Sequence, residues 1–218
     1  MEPSITDIVD LAGTFIFSVT GAVKGVRKRL DIFGVTVLAC CVGVGGDIIR
    51  DLIIGIHPVS ALKNEYYLLL CIMSGVLIFA TAKYWMRIRN IIQIGDAFGL
   101  GVFTFLGAQK AYEAGLGCTG IILSGVVTAI GGGIIRDILS GTVPVVLKSD
   151  FYATASLIGG VLFYIMLRYN IPLSILFPAV AGIVTALRLL AVHFKVQLPA
   201  AGYLRHERAK FRKNTKKR

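Results

Sequence analysis

The chain of 218 residues is 56% hydrophobic and only 16% charged, with a mean hydropathy of +0.77, which excludes an ordinary soluble domain. An all-α integral membrane protein fits this balance. A net charge of +11 suggests nucleic acid when it covers a soluble surface; here the basic residues sort with the loops between apolar runs, and nucleic acid is excluded as a partner.

Seven runs approach the length of about 20 apolar residues that a spanning helix needs. They cover residues 6–23, 33–56, 66–86, 91–112, 118–140, 151–169 and 173–194, so seven transmembrane helices are expected. Glu2, Asp7 and Asp10 stand at the start of the first run with no basic stretch ahead of it, so it reads as a retained helix and not a cleavable signal peptide. Gly13, Ser18 and Gly21 suit close helix packing. Asp10 lies near one membrane face and Lys24 near the other.

The second run is interrupted by Val44-Gly45-Gly46-Asp47-Ile48-Ile49-Arg50-Asp51. Charges inside a long apolar segment are costly in lipid and ask for a functional explanation. Adjacent glycines at mid-membrane predict a kink or an unwound stretch. Such a break is tolerated only against protein or water, so it is expected to face a cavity. Its freed carbonyls would offer hard oxygen ligands to a monovalent cation. Asp47 is then placed to cap the half-helix beyond the break, with Asp51 in its first turn. Gly55 followed by Pro58 marks the helix end.

The third run is ordinary and closes on Lys83, Tyr84, Trp85 and Arg87, a mix suited to membrane-interface anchoring. The fourth carries Asp96, Gly99, Gly101, Thr104, Gly107 and Lys110. The fifth contains Ile130-Gly131-Gly132-Gly133-Ile134-Ile135-Arg136-Asp137 and ends at Gly141 and Pro144. The sixth is again ordinary. In the seventh, Pro178 bends the first turns, and Arg188 either snorkels or pairs with an acid of the bundle. Beyond Pro199, the stretch Arg205–Arg218 holds eight basic residues and one acid, a topology determinant and a contact for anionic lipids. Cys40, Cys41, Cys71 and Cys118 have no CxxC spacing and no nearby histidine pair, so they read as small buried side chains; no metal site and no cofactor is expected.

A single offset of 86 residues aligns the chain with itself without a gap. Asp10 meets Asp96, Gly13 meets Gly99, Phe17 meets Phe103, Gly21 meets Gly107, Lys24 meets Lys110, and Tyr66 meets Tyr152. Each copy holds three helices, an odd number, so the second enters the membrane in the opposite sense. The expected organisation is a first repeat over 1–89, an inverted second repeat over 90–171, a seventh helix over 172–195 and a basic tail over 196–218. Inverted repeats place transport sites near the midplane, where the second and fifth helices meet. Of the 23 Lys and Arg residues, 17 fall on one side, three on the other and three inside helices. That asymmetry orients a multi-pass protein of the cell (inner) membrane with its N-terminus outside and its C-terminus in the cytoplasm.

Within the paired motifs, Asp47, Asp51 and Asp137 outnumber Arg50 and Arg136 by one, which leans toward cations. Partners for the arginines are expected on other helices, with Asp47 a local candidate for Arg50, because adjacent residues do not share a helix face. The arginines read either as gating charges moving in the membrane field or as ion pairs that only hold the repeats together. Asp10, Lys24, Asp96 and Lys110, with Ser18 and Thr104, are candidates to line two vestibules, although lysines at these depths also snorkel. His57, His193 and His206 are scattered, and no catalytic constellation sits at a common depth, so an enzyme is not expected.

The duplicated Gly-Gly-(Gly/Asp)-Ile-Ile-Arg-Asp motif, the three-plus-three arrangement and the seventh helix resemble the prokaryotic branch of the trimeric intracellular cation (TRIC) channel family, over roughly residues 5–195. The resemblance implies a homotrimer with one hydrated pore per subunit, lined around kinked second and fifth helices and permeable to potassium and, less selectively, to sodium. The same family pattern also carries a glycine-transporter label, so secondary transport of glycine or another small amino acid is the alternative. One departure is Asp47, where the pattern expects a third glycine and the second copy has Gly133. It implies a smaller bend and a more acidic face in the second helix.

Overall fold

The computed structural model describes residues 5–88, 90–147 and 151–194. Regular structure among them is entirely helical: α1 (Ile5–Arg27), α2 (Ile32–Ile54), α3 (Glu65–Ala80), α4 (Ile91–Glu113), α5 (Cys118–Leu139), α6 (Ala153–Arg168) and α7 (Leu173–Phe194). Short helical turns occupy Ser60–Lys63, Ala82–Trp85 and Val145–Leu147. Five helices, α1, α2, α4, α5 and α7, are long and apolar enough to cross a membrane, while α3 and α6 are apolar but have 16 residues each. The basic tail and its expected lipid contact lie outside the described residues.

Local chemistry sets the helix ends. The Asp31 carboxylate accepts the Gly34 N–H at 2.7 Å and caps the start of α2. Gly55 and Gly141 take left-handed φ values of 78° and 65°, and behind them Ile56 and Thr142 each donate a backbone N–H at 2.8 Å, to the carbonyls of Asp51 and Asp137. The glycine-to-proline spacing thus does mark matched helix ends. α1 runs past its apolar stretch to Arg27, since Lys24 and Arg27 are good helix formers favoured in a last turn, and Lys24 also pairs with Asp137 at 3.5 Å. α3 stops at Ala80, earlier than its hydropathy suggests; Thr81 leaves helical geometry and its hydroxyl accepts the Trp85 indole N–H at 2.8 Å.

α1, α2 and α3 pack together, as do α4, α5 and α6, while α7 lies against α4 and α6. The two groups meet through α1 with α4 and α2 with α5. The core between them holds Phe17, Leu38, Val42, Leu100 and Phe103, while Phe105 packs against Phe163 and Phe177. Outward-facing residues such as Leu69, Met73, Leu77, Leu157, Ile183 and Leu190 are exposed and apolar, the surface a lipid phase requires.

The contacts between the groups are exchanged across the 86-residue offset. The Phe17 and Phe103 rings lie 4.9 Å apart. A methyl on Gly13 would meet the Phe103 ring at 3.1 Å, and one on Gly99 would run into the Phe17 ring. Likewise Gly46 packs against the Thr128 carbonyl, and Gly132 against the Val42 carbonyl, which a methyl there would approach to 2.6 Å.

The course of the two helices corrects the expectation of an unwound stretch at the glycines. α2 and α5 remain continuous helices through Gly45–Asp47 and Gly131–Gly133. The glycines let two backbones touch at a crossing, which a helix achieves without giving up its own hydrogen bonds. No carbonyls are therefore released as ligands by unwinding, and Asp47 caps no half-helix.

Candidate functional site

Each end of the α2–α5 crossing carries a buried arginine with two carboxylates. In the first cluster, Arg50 is fully buried and ion-pairs with Asp47 and with Asp51, its Nη2 lying 2.8 Å from Asp51 Oδ1 and its Nε donating to the same oxygen at 2.9 Å. The other Asp51 oxygen accepts the Ser60 N–H at 2.7 Å. Asp10 joins from α1: its Oδ2 accepts the Tyr67 hydroxyl at 3.0 Å and Lys110 Nζ at 3.4 Å.

In the second cluster, Arg136 ion-pairs with Asp96 of α4 and donates from Nε to Asp137 Oδ1 at 3.1 Å. Thr20 Oγ1 accepts a longer bond from Arg136 Nη1 at 3.4 Å. Asp137 also accepts the Val145 N–H at 2.9 Å and pairs with Lys24. Tyr152 lies against Gly133, and the Arg188 guanidinium sits 4.8 Å above its ring. Arg188 is only 4% exposed, so it does not snorkel.

Two expectations about the arginines are revised. Both reach the aspartate next in sequence, because a long side chain folds back along its own helix even though the two Cβ atoms diverge. Arg136 reaches another helix through Asp96, whereas the ion pairs of Arg50 stay within α2. The candidate vestibule residues are likewise engaged: Asp10 with Lys110, Lys24 with Asp137, and Asp96 with Arg136. Ser18 donates to the Cys71 carbonyl at 3.4 Å, and Thr104 bonds the Leu100 carbonyl at 2.6 Å and the Ser156 hydroxyl at 2.7 Å.

From Asp10 to Thr20 along α1 the rise is about 15 Å, with the glycine crossing at intermediate depth. Sequence reasoning missed Tyr67 and Thr14. The offset pairs Tyr66 with Tyr152, and the residue that binds Asp10 is one position away.

Comparison with known proteins bears on this geometry directly. The profile of the glycine transporter family matches residues 7–83 and, a second time, residues 93–168. The TRIC trimeric intracellular cation channel orthologue from Rhodobacter sphaeroides superposes with a TM-score of 0.85 at 34% identity, over 88% of this chain and 99% of that one. The chain belongs to the prokaryotic TRIC, or glycine transporter, family. The resemblance carried by the glycine motifs is therefore borne out. Another prokaryotic TRIC channel, crystallised in 0.5 M KCl, matches this TRIC-family chain with a TM-score of 0.82 at 35% identity, over 89% of this chain and 98% of that one. The UPF0126 inner membrane protein YadS of Escherichia coli K12 is 33% identical over 194 residues, covering 88% of this chain and 93% of its own length. The two profile matches begin 86 residues apart, and each covers one three-helix group of this TRIC-family chain.

Proposed function

We propose that the chain is a potassium-permeable channel for monovalent cations, with one pore per subunit of a homotrimer. The observation that carries this reading is the pair of buried Arg–Asp clusters at the two ends of the α2–α5 crossing, in a fold shared with TRIC cation channels. Each arginine is neutralised by two carboxylates, so neither repels a cation as an isolated guanidinium would. At Gly46 and Gly132 the two backbones touch, and separating or bending α2 and α5 there would open a path for a cation.

Two inverted repeats over 1–89 and 90–171 are supported by the exchanged contacts of Gly13, Phe17, Gly99 and Phe103 and by the doubled profile match. In this reading α3 and α6 complete a set of seven spans, the N-terminus lies outside and the C-terminus in the cytoplasm. The trimeric state of the Rhodobacter orthologue supports a homotrimer, and the Escherichia coli relative supports an inner-membrane location.

In a planar bilayer the purified protein is expected to conduct potassium in unitary, ohmic steps. Saturable glycine uptake without such steps would replace the channel with a transporter. Replacing Arg136 or Asp137 is expected to change open probability, and unchanged gating in an intact trimer would remove these residues from the gating mechanism.

A further inference from the structure

Two of the buried positions at which the halves differ lie close to the acid pair Asp10 and Asp96. Asp47 of α2 stands where the second half has Gly133, and Thr14 of α1 stands where it has Leu100. This changes how the equivalent acids Asp10 and Asp96 are used. Asp96 pairs with Arg136, but Asp47 takes that place on Arg50, and Asp10 turns one oxygen to Tyr67 and Lys110 instead. Its other oxygen, Oδ1, and Thr14 Oγ1 are both buried without a hydrogen-bond partner. The two residues, 3% and 0% exposed, are one turn apart on the buried face of α1. Gly43 of α2 packs against the Thr14 carbonyl, and Asp47 lies one turn further along α2.

The charge balance differs in the same place. Asp96 and Asp137 are matched by Arg136 and Lys24. Among the described residues, Asp10, Asp47 and Asp51 are paired with Arg50 and Lys110, which leaves one negative charge over. An uncompensated buried charge and orphaned buried oxygens are both unfavourable. One bound cation removes both penalties.

We propose that Asp10 Oδ1 and Thr14 Oγ1, backed by the charge of Asp47, form a binding site for a single alkali cation that the second half lacks. No group of three or more His, Cys, Asp or Glu residues suited to a metal ion exists among the described residues, and the hard oxygen donors suit sodium or potassium over a transition metal. The inference goes beyond conduction: the ion is held as a structural counter-charge whether or not the chain conducts.

The test is the melting temperature of the purified full-length protein in detergent, titrated with NaCl or KCl against N-methyl-D-glucamine chloride at constant ionic strength and pH. The expected result is a rise of about 3–5 °C per tenfold increase in alkali cation above half-saturation, absent with the organic cation. Thr14→Val, which keeps the charges, should raise the half-saturating concentration about tenfold, while Thr14→Ser should not. Asp47→Gly should abolish the dependence. Equal melting in the alkali and organic cations overturns the proposal on the wild-type protein alone, whatever the variants do. Stabilisation by acidification with no response to alkali cation also overturns it, by placing a proton in the site.

Discussion

Replacing Gly132 by alanine separates a contact from a hinge. At an unobstructed position inside a helix the change stabilises by about 0.8–1 kcal/mol through helix propensity. At Gly132 the new methyl would lie 2.6 Å from the Val42 carbonyl oxygen and 2.8 Å from the Phe17 ring. Ordinary contacts sit at roughly 3.5 Å, so α2 must withdraw by close to ~1 Å, and no rotamer change relieves a clash with backbone. Overpacking costs about 1–3 kcal/mol, and a clash with backbone falls in the upper part of that range, about 2–3 kcal/mol, so after the propensity gain of about 1 kcal/mol the net loss is about 1–2 kcal/mol. For a chain of this size that corresponds to a fall of about 2–8 °C in Tm. Gly182, on the exposed face of α7, has nothing within 4 Å of an added methyl and serves as the control, with an expected gain of up to about 1 kcal/mol. The assay is thermal unfolding of both variants side by side in one detergent. A Gly132→Ala protein that melts at or above the wild type would refute the crossing as the reason for the glycine.

Arg136→Gln leaves Asp96 buried without its cation and Asp137 with Lys24 alone, and should cost about 3–5 kcal/mol. Adding Asp96→Asn should recover at least ~1 kcal/mol of that in a double-mutant cycle of denaturant or thermal unfolding; strict additivity would disprove the coupling. Tyr152→Phe removes a buried hydroxyl that has no hydrogen-bond partner, so stability should be unchanged or higher by up to about 1 kcal/mol. Tyr152→Leu, which also removes the ring under Arg188, should lose about 2 kcal/mol by the same melt.

Much of the architecture was legible because it depends on periodicity and repetition. Apart from the end of α3, the apolar runs locate the helices to within a few residues, and the pairing of Asp10 with Asp96 or Gly46 with Gly132 needs only a sequence offset. What Gly45-Gly46 and Gly131-Gly132-Gly133 are for was not legible. A missing side chain permits both an unwound backbone and a close crossing, and the choice is made by the helix opposite, here through the carbonyls of Thr128 and Val42. The arginine partners illustrate a second limit. Helical facing rules describe Cβ directions, whereas a guanidinium several bonds away folds back to a neighbouring carboxylate, as Arg50 does to Asp51. Asp47 was visible as an oddity, but its effect, releasing Asp10 from the arginine, appears only when α1, α2 and α3 are placed together.

The exchange of Gly13–Phe103 for Phe17–Gly99 has a consequence for the history of such a chain. One sequence supplies both sides of that contact, so a half-length chain would satisfy it by pairing with a second copy of itself. Once the copies are joined, a bulkier residue at Gly13 is compensated at Phe103, in the other half, and not among its own neighbours along the chain. The halves are therefore bound to drift as partners, and departures such as Asp47 and Thr14 are where one half has acquired chemistry the other cannot mirror.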